Sequence, residues 1–158
     1  MVGYRIFKPL IQEYFFYLTA GSTSPLTGTI NVPSGYRKIR FLAIGGGGGG
    51  GPPSTSYGGG GGGSGAIVAG IIPVLPGLYQ IQYQVGNGGG TSSSGSSPGG
   101  TSYIQLNLEN GVYFQFIAGG GNGGGSGSSS YAGIGGFAGS ASVNSNLSTS
   151  NVYYFNRV

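Results

Sequence analysis

The sequence has no cysteine, no histidine and no aspartate, and its only acids are Glu13 and Glu109. Each absence removes a class of chemistry. General acid–base catalysis needs a positioned titratable group, most often histidine or a carboxylate. A paired-carboxylate hydrolase needs two acids close together. Zinc centres are built from cysteine, histidine or carboxylates. Serines are plentiful, but no histidine is present to activate one as a nucleophile. The expectation is a protein that is not an enzyme and takes no cofactor or metal. Without cysteine, neither disulfides nor a redox compartment can be inferred.

Charge is equally scarce, at 5% of residues, with six Lys or Arg giving a net charge of +4. Nucleic-acid binders usually cluster many more cations on one face. The densest group here, Arg37, Lys38 and Arg40, alternates within a strand-like stretch and reads as a solvated face. No specific nucleic-acid site is expected. No apolar run reaches membrane-spanning length, so no membrane span is expected. The N-terminal stretch is a poor secretory leader, because Pro9, Gln12 and Glu13 interrupt its apolar region. Assembly in a cytoplasm follows as the expected route.

What is present is glycine, 39 of 158 residues, together with 12 Tyr and 8 Phe. Disordered chains are usually poor in aromatics and rich in charge, so this composition points to an ordered β protein. Residues 29–44 read as strand, turn, strand, with turn chemistry at Pro33, Ser34 and Gly35. Ile39, Phe41 and Ala43 would share one face there, and Lys38, Arg40 and Leu42 the other. Residues 79–85 alternate, with Tyr79, Ile81, Tyr83 and Val85 opposite Gln80, Gln82 and Gln84, as in a half-buried strand. In 101–119 a hairpin is expected about Asn110 and Gly111. A two-residue loop would scatter the apolar residues over both faces. A three-residue loop, 109–111, pairs Leu108 with Val112, Leu106 with Phe114 and Ile104 with Phe116 on one face. That loop is a type I turn closed by a left-handed residue, the place for Gly111. The tail, 151–158, reads as a final strand.

Residues 45–51 and 58–63 are all glycine, and further Gly-rich stretches occupy 87–100 and 119–139. Strands lead into glycine and glycine leads back into strands. A free Gly/Ser coil is one option. The other is a set of polyproline-II-like segments, with three residues per turn and about 3.1 Å rise, bonded to each other through bare backbone. The short turn at 52–57 would let 45–51 and 58–63 lie antiparallel, with 88–90, 119–121 and 123–125 joining the layer. The expected fold is all-β: a β-sandwich or jelly-roll-like core with polyglycine excursions at one end, over residues 28–158. Residues 1–27 would form an aromatic N-terminal arm and linker. The heptaglycine run is not a nucleotide loop: no acid follows at dinucleotide spacing, and prolines stand where a phosphate loop has Gly-Lys-Ser/Thr.

The stretch GTINVPSGYRKIRFLAIGGGGGGG (28–51) is similar to the opening of the glycine-rich domain of bacteriophage tail fibres and related virion proteins. In that opening a strand ends in Val-Pro-x-Gly and a second apolar strand runs into polyglycine. The stretch GGGGGGSGAIVAGIIPVLPGLYQIQYQVGNGGGTSS continues the likeness, and FIAGGGNGGG resembles its closing repeat. The likeness covers about residues 28–139. This chain carries Ala43 and Ile44 where members of that family often have Trp before the glycine run. The resemblance implies a structural or host-recognition role in a virion, with no catalytic residues to carry over.

The resulting expectation is a virion structural protein, a capsid, spike or tail component, that self-assembles through strand and polyglycine packing. Its partners would be copies of itself, as a trimer or higher, and other virion proteins. Candidate assembly residues are Tyr4, Phe7, Tyr14, Phe16, Gly48, Gly61, Tyr153 and Phe155. Tyr57 and Tyr131 are candidate contacts to a host glycan or protein. The alternative is a subunit of a non-viral extracellular filament or surface layer. An ice- or surface-binding role would need a regular threonine array, and none is seen.

Overall fold

The structure, a computed structural model, describes residues 18–20, 24–32 and 34–146. Nine strands run in chain order: β1 (Leu26–Asn31), β2 (Lys38–Ile44), β3 (Ile67–Pro73), β4 (Leu78–Val85), β5 (Thr91–Ser92), β6 (Gly95–Ser96), β7 (Ser102–Leu108), β8 (Tyr113–Ala118) and β9 (Ala141–Ser145). No helix occurs among the described residues, and the fold is all-β with antiparallel pairing. A five-stranded sheet has the order β1-β4-β7-β8-β9, β2 and β3 form a two-stranded ribbon, and β5 and β6 form a short hairpin.

The ribbon lies on the five-stranded sheet as the second layer of a sandwich. Alternation along β2 buries Phe41 and Ala43 and leaves Lys38, Arg40, Leu42 and Ile44 exposed. Phe41 meets Phe116 of β8 with ring centroids 4.8 Å apart and planes tilted by 45°, a favourable offset arrangement. Ile72, Leu78, Leu106 and Phe114 complete the buried cluster. Leu106 is 1% exposed and sits at its centre.

The β7–β8 hairpin has the expected register, Leu106 opposite Phe114 and Ile104 opposite Phe116. Leu108 N donates to Val112 O at 2.9 Å, and Gly111 takes φ +78°. Strand, turn and strand are present in 29–44 as expected. The pairing of those strands and the presence of β9 had no reading in the sequence, and the place of Tyr79 differs from it. The strands within 29–44 do not pair with each other: β1 joins β4 while β2 joins β3, so the turn between them crosses from one layer to the other. Tyr79 leaves the alternation of β4, because the register shifts between Leu78 and Gln80 and Leu78 fills the core place. β9 pairs with β8 although its sequence, ASVNS, shows no apolar alternation.

Candidate functional site

Beyond the sandwich, the glycine stretches continue the strands as ordered backbone. Gly45, Gly48 and Gly51 donate to the carbonyls of Ala66, Gly63 and Gly60 at 2.9, 2.8 and 2.7 Å, so 45–51 and 58–65 run antiparallel. The donors are three residues apart. A segment that returns the same face every third residue turns like a polyproline-II helix, which has no internal hydrogen bonds and must bond sideways.

Six such segments pack in two rows. One row contains 58–65, 45–51 and 86–90, with Gly89 N donating to Gly47 O at 2.7 Å. The other contains 133–139, 119–125 and 97–100, held by Asn122 N to Phe137 O at 2.8 Å and Gly99 N to Gly121 O at 2.8 Å. Between rows, Gly63 N reaches Asn122 O at 2.8 Å, Gly121 N reaches Gly46 O at 2.9 Å, Gly49 N reaches Ser97 O at 3.0 Å and Gly136 N reaches Gly61 O at 2.8 Å. The first row extends the ribbon, since β2 enters 45–51 and 58–65 leads into β3. The second extends the sheet, since β8 enters 119–125 while 97–100 and 133–139 lead into β7 and β9. The stretch 86–90, leaving β4, changes layer to complete the first row.

This packing explains the composition. A Cβ on Gly48 would overlap the Asn122 carbonyl, and one on Gly51 the Gly125 carbonyl. Backbones approach so closely that only glycine fits, the steric rule that collagen also obeys. Outward positions are free of it. A Cβ on Gly61 would meet nothing within 4 Å, and one on Gly47 would have its nearest neighbour at 3.8 Å. Side chains within the segments fall on such outward rows: Ser64 and Asn122 are exposed, and Ile134 and Phe137 are each 76% exposed. Gly48 and Gly61 therefore occupy opposite environments, one between the rows and one on the surface.

At the end of the bundle away from the sandwich, two turns share one design. In STSY (54–57), Ser54 N donates to Tyr57 O at 2.8 Å and Tyr57 N donates to Ser54 Oγ at 2.9 Å. In SSSY (128–131), Ser128 N donates to Tyr131 O at 2.9 Å and Tyr131 N donates to Ser128 Oγ at 3.0 Å. Ser54 Oγ also donates to Ser128 O at 2.6 Å, which ties the two turns together. Serine makes such turns because its hydroxyl bonds backbone a few residues on. Tyr57 and Tyr131 are 44% and 65% exposed on this paired frame. The β5–β6 hairpin, with Thr91, Ser92 and Ser94 exposed, belongs to the same end of the bundle, and Thr91 Oγ1 donates to Gly50 O at 2.6 Å. The arrangement offers aromatic faces and hydroxyls to a partner.

The structure thus brings Tyr57 and Tyr131 to one end. Tyr4, Phe7, Tyr14, Phe16, Tyr153 and Phe155 lie outside the described residues. Ser128 belongs to the serine loop, 128–130, that the sequence offers beside Tyr131 as a host contact, whereas Ser54 was missed, although the repeated Ser-x-Ser-Tyr was a readable signal. Among the described residues no helix is long and apolar enough to cross a membrane.

No curated protein and no solved structure matches the chain. A family model described as a glycine-rich domain matches residues 22–151, a span that takes in all nine strands and all six glycine segments. The chain belongs to that glycine-rich domain family.

Proposed function

We propose that the chain is a structural protein of a virion, a capsid, spike or tail component, which self-assembles and uses the end of its glycine bundle to contact a host surface. It acts by binding and assembly rather than catalysis. The observation that carries the attachment part is the tied pair of turns with Tyr57 and Tyr131 exposed on them. Tyrosine and serine on a rigid frame give large contact area and adaptable hydrogen bonding at low entropic cost, as in antibody loops. The bundle serves as the spacer that holds this end away from the sandwich.

Self-assembly is supported by the outer face of the ribbon. Leu42, Ile44, Ile67 and Ile71 are 52–63% exposed there, and contiguous exposed aliphatic surface of this kind marks interaction sites. The outward glycines 47, 58 and 61 extend it as bare backbone that a second copy can approach closely. The virion assignment draws on the likeness of 28–139 to tail-fibre glycine-rich domains.

Immuno-electron microscopy with an antibody against the chain, applied to particles purified from producing cells, tests this reading. Label on the particle exterior is expected, with adsorption to host cells reduced at least tenfold by combined Tyr57→Ala and Tyr131→Ala. Particles free of label, or unchanged adsorption, would count against it.

A further inference from the structure

The face of the five-stranded sheet turned away from the ribbon is built almost entirely of uncharged polar side chains. Strand register places Thr29, Gln82, Gln105, Gln115 and Asn144 in one row that crosses all five strands. Gln80, Asn107 and Tyr113 form a second row, and Gln84 and Tyr103 belong to a third. The alternate residues of the same strands, Leu106, Phe114 and Phe116, point into the core, so these rows point outward. Gln105 Nε2 donates to Gln82 Oε1 at 3.2 Å and to Asn107 Oδ1 at 2.8 Å, which aligns the amides along the face. The charged side chains among the described residues, Arg37, Lys38, Arg40 and Glu109, all lie off these rows.

We infer that this face binds a neutral β-linked polysaccharide laid across the strands along the row from Thr29 to Asn144. A primary amide carries two donors and an acceptor, and a sugar hydroxyl uses either kind. Gln115 and the Gln82 Nε2 keep their donors for a ligand, while Gln105, whose Nε2 donates to Gln82 and Asn107, offers its Oε1 as acceptor. Neighbouring strands are about 4.8 Å apart, close to the length of one pyranose unit in an extended β-linked chain, so successive sugars meet successive amides. Tyr103 and Tyr113, half-buried in the flanking rows, offer ring surface to the apolar faces of the sugars. A face without charge gives no attraction to phosphate, sulfate or carboxylate groups, which selects the neutral glycan over nucleic acid or an acidic one. The inference stands apart from the virion reading and from the loops bearing Tyr57 and Tyr131.

Affinity electrophoresis of the full chain, in gels containing soluble β-glucan, laminarin, dextran or heparin, tests it. Retardation by a β-linked glucan and not by heparin is expected. The double variant Gln105→Ala, Gln115→Ala should weaken that retardation at least tenfold while its circular dichroism and melting stay near those of the parent. Tyr57→Ala with Tyr131→Ala should leave it unchanged. Retardation by heparin alone, by no polysaccharide, or equally in the Gln105/Gln115 variant would overturn the inference. So would sedimentation showing that these glutamines instead hold two copies of the chain together.

Discussion

Ser102 Oγ donates to the carbonyl of Ile44 at 2.6 Å and accepts from Gly86 N at 2.9 Å. One side chain, 2% exposed, thus pins the end of β2, the end of β4 and the start of β7. All three points are where a strand meets polyglycine. Ser102→Ala removes the hydroxyl partner of two backbone groups in a part-buried place, Ile44 O and Gly86 N, at up to about 1–3 kcal/mol each. The expected outcome is a melting temperature lower by roughly 5 °C or more, measured by circular dichroism.

Gly48 and Gly61 separate the two environments of the bundle. Gly48→Ala would push a methyl group into the Asn122 carbonyl, and overpacking of this kind costs about 1–3 kcal/mol or more. At Gly61 an added methyl group meets nothing within 4 Å. Gly61→Ala restricts only the unfolded chain and should stabilise by about 0.4–1 kcal/mol. Denaturant titration of the two variants should give shifts of opposite sign.

Gly111 closes the β7–β8 loop at φ +78°. An L-residue there costs roughly 1–2 kcal/mol, and asparagine tolerates the left-handed region better than a branched residue. Gly111→Val should therefore lower the urea midpoint more than Gly111→Asn, with the m-value unchanged in both.

The hairpin register was legible because apolar residues in β7 and β8 share a face under one loop length only, which fixed Leu106 against Phe114. The antiparallel pairing of 45–51 with 58–65 was legible because a short turn joins two runs with no side chains to keep them apart. The two-row packing was not. A pure glycine run carries no mark of its phase within a three-residue repeat, so nothing distinguished Gly48 from Gly61. The phase is visible only where other residues intrude, at Ser64, Asn122, Ile134 and Phe137. The crossing of the chain between layers after β1 was hidden as well, since turn residues at 34–35 suit a hairpin or a crossover equally. The tip frame lay in view as a repeated Ser-x-Ser-Tyr, but spacing alone did not say that the two copies meet.

Amide hydrogen exchange, resolved glycine by glycine by NMR, tests the ordered bundle most directly. Gly48, Gly51, Gly60 and Gly63 donate to backbone carbonyls between neighbouring segments. Gly61 lies on the surface, and its amide donates to no group among the described residues. The account predicts slow exchange at Gly45, Gly46, Gly48, Gly49 and Gly51 with Gly47 and Gly50 fast, and in 58–65 slow exchange at Gly60 and Gly63 with Gly61 fast between them. Uniformly fast exchange across both runs would contradict it.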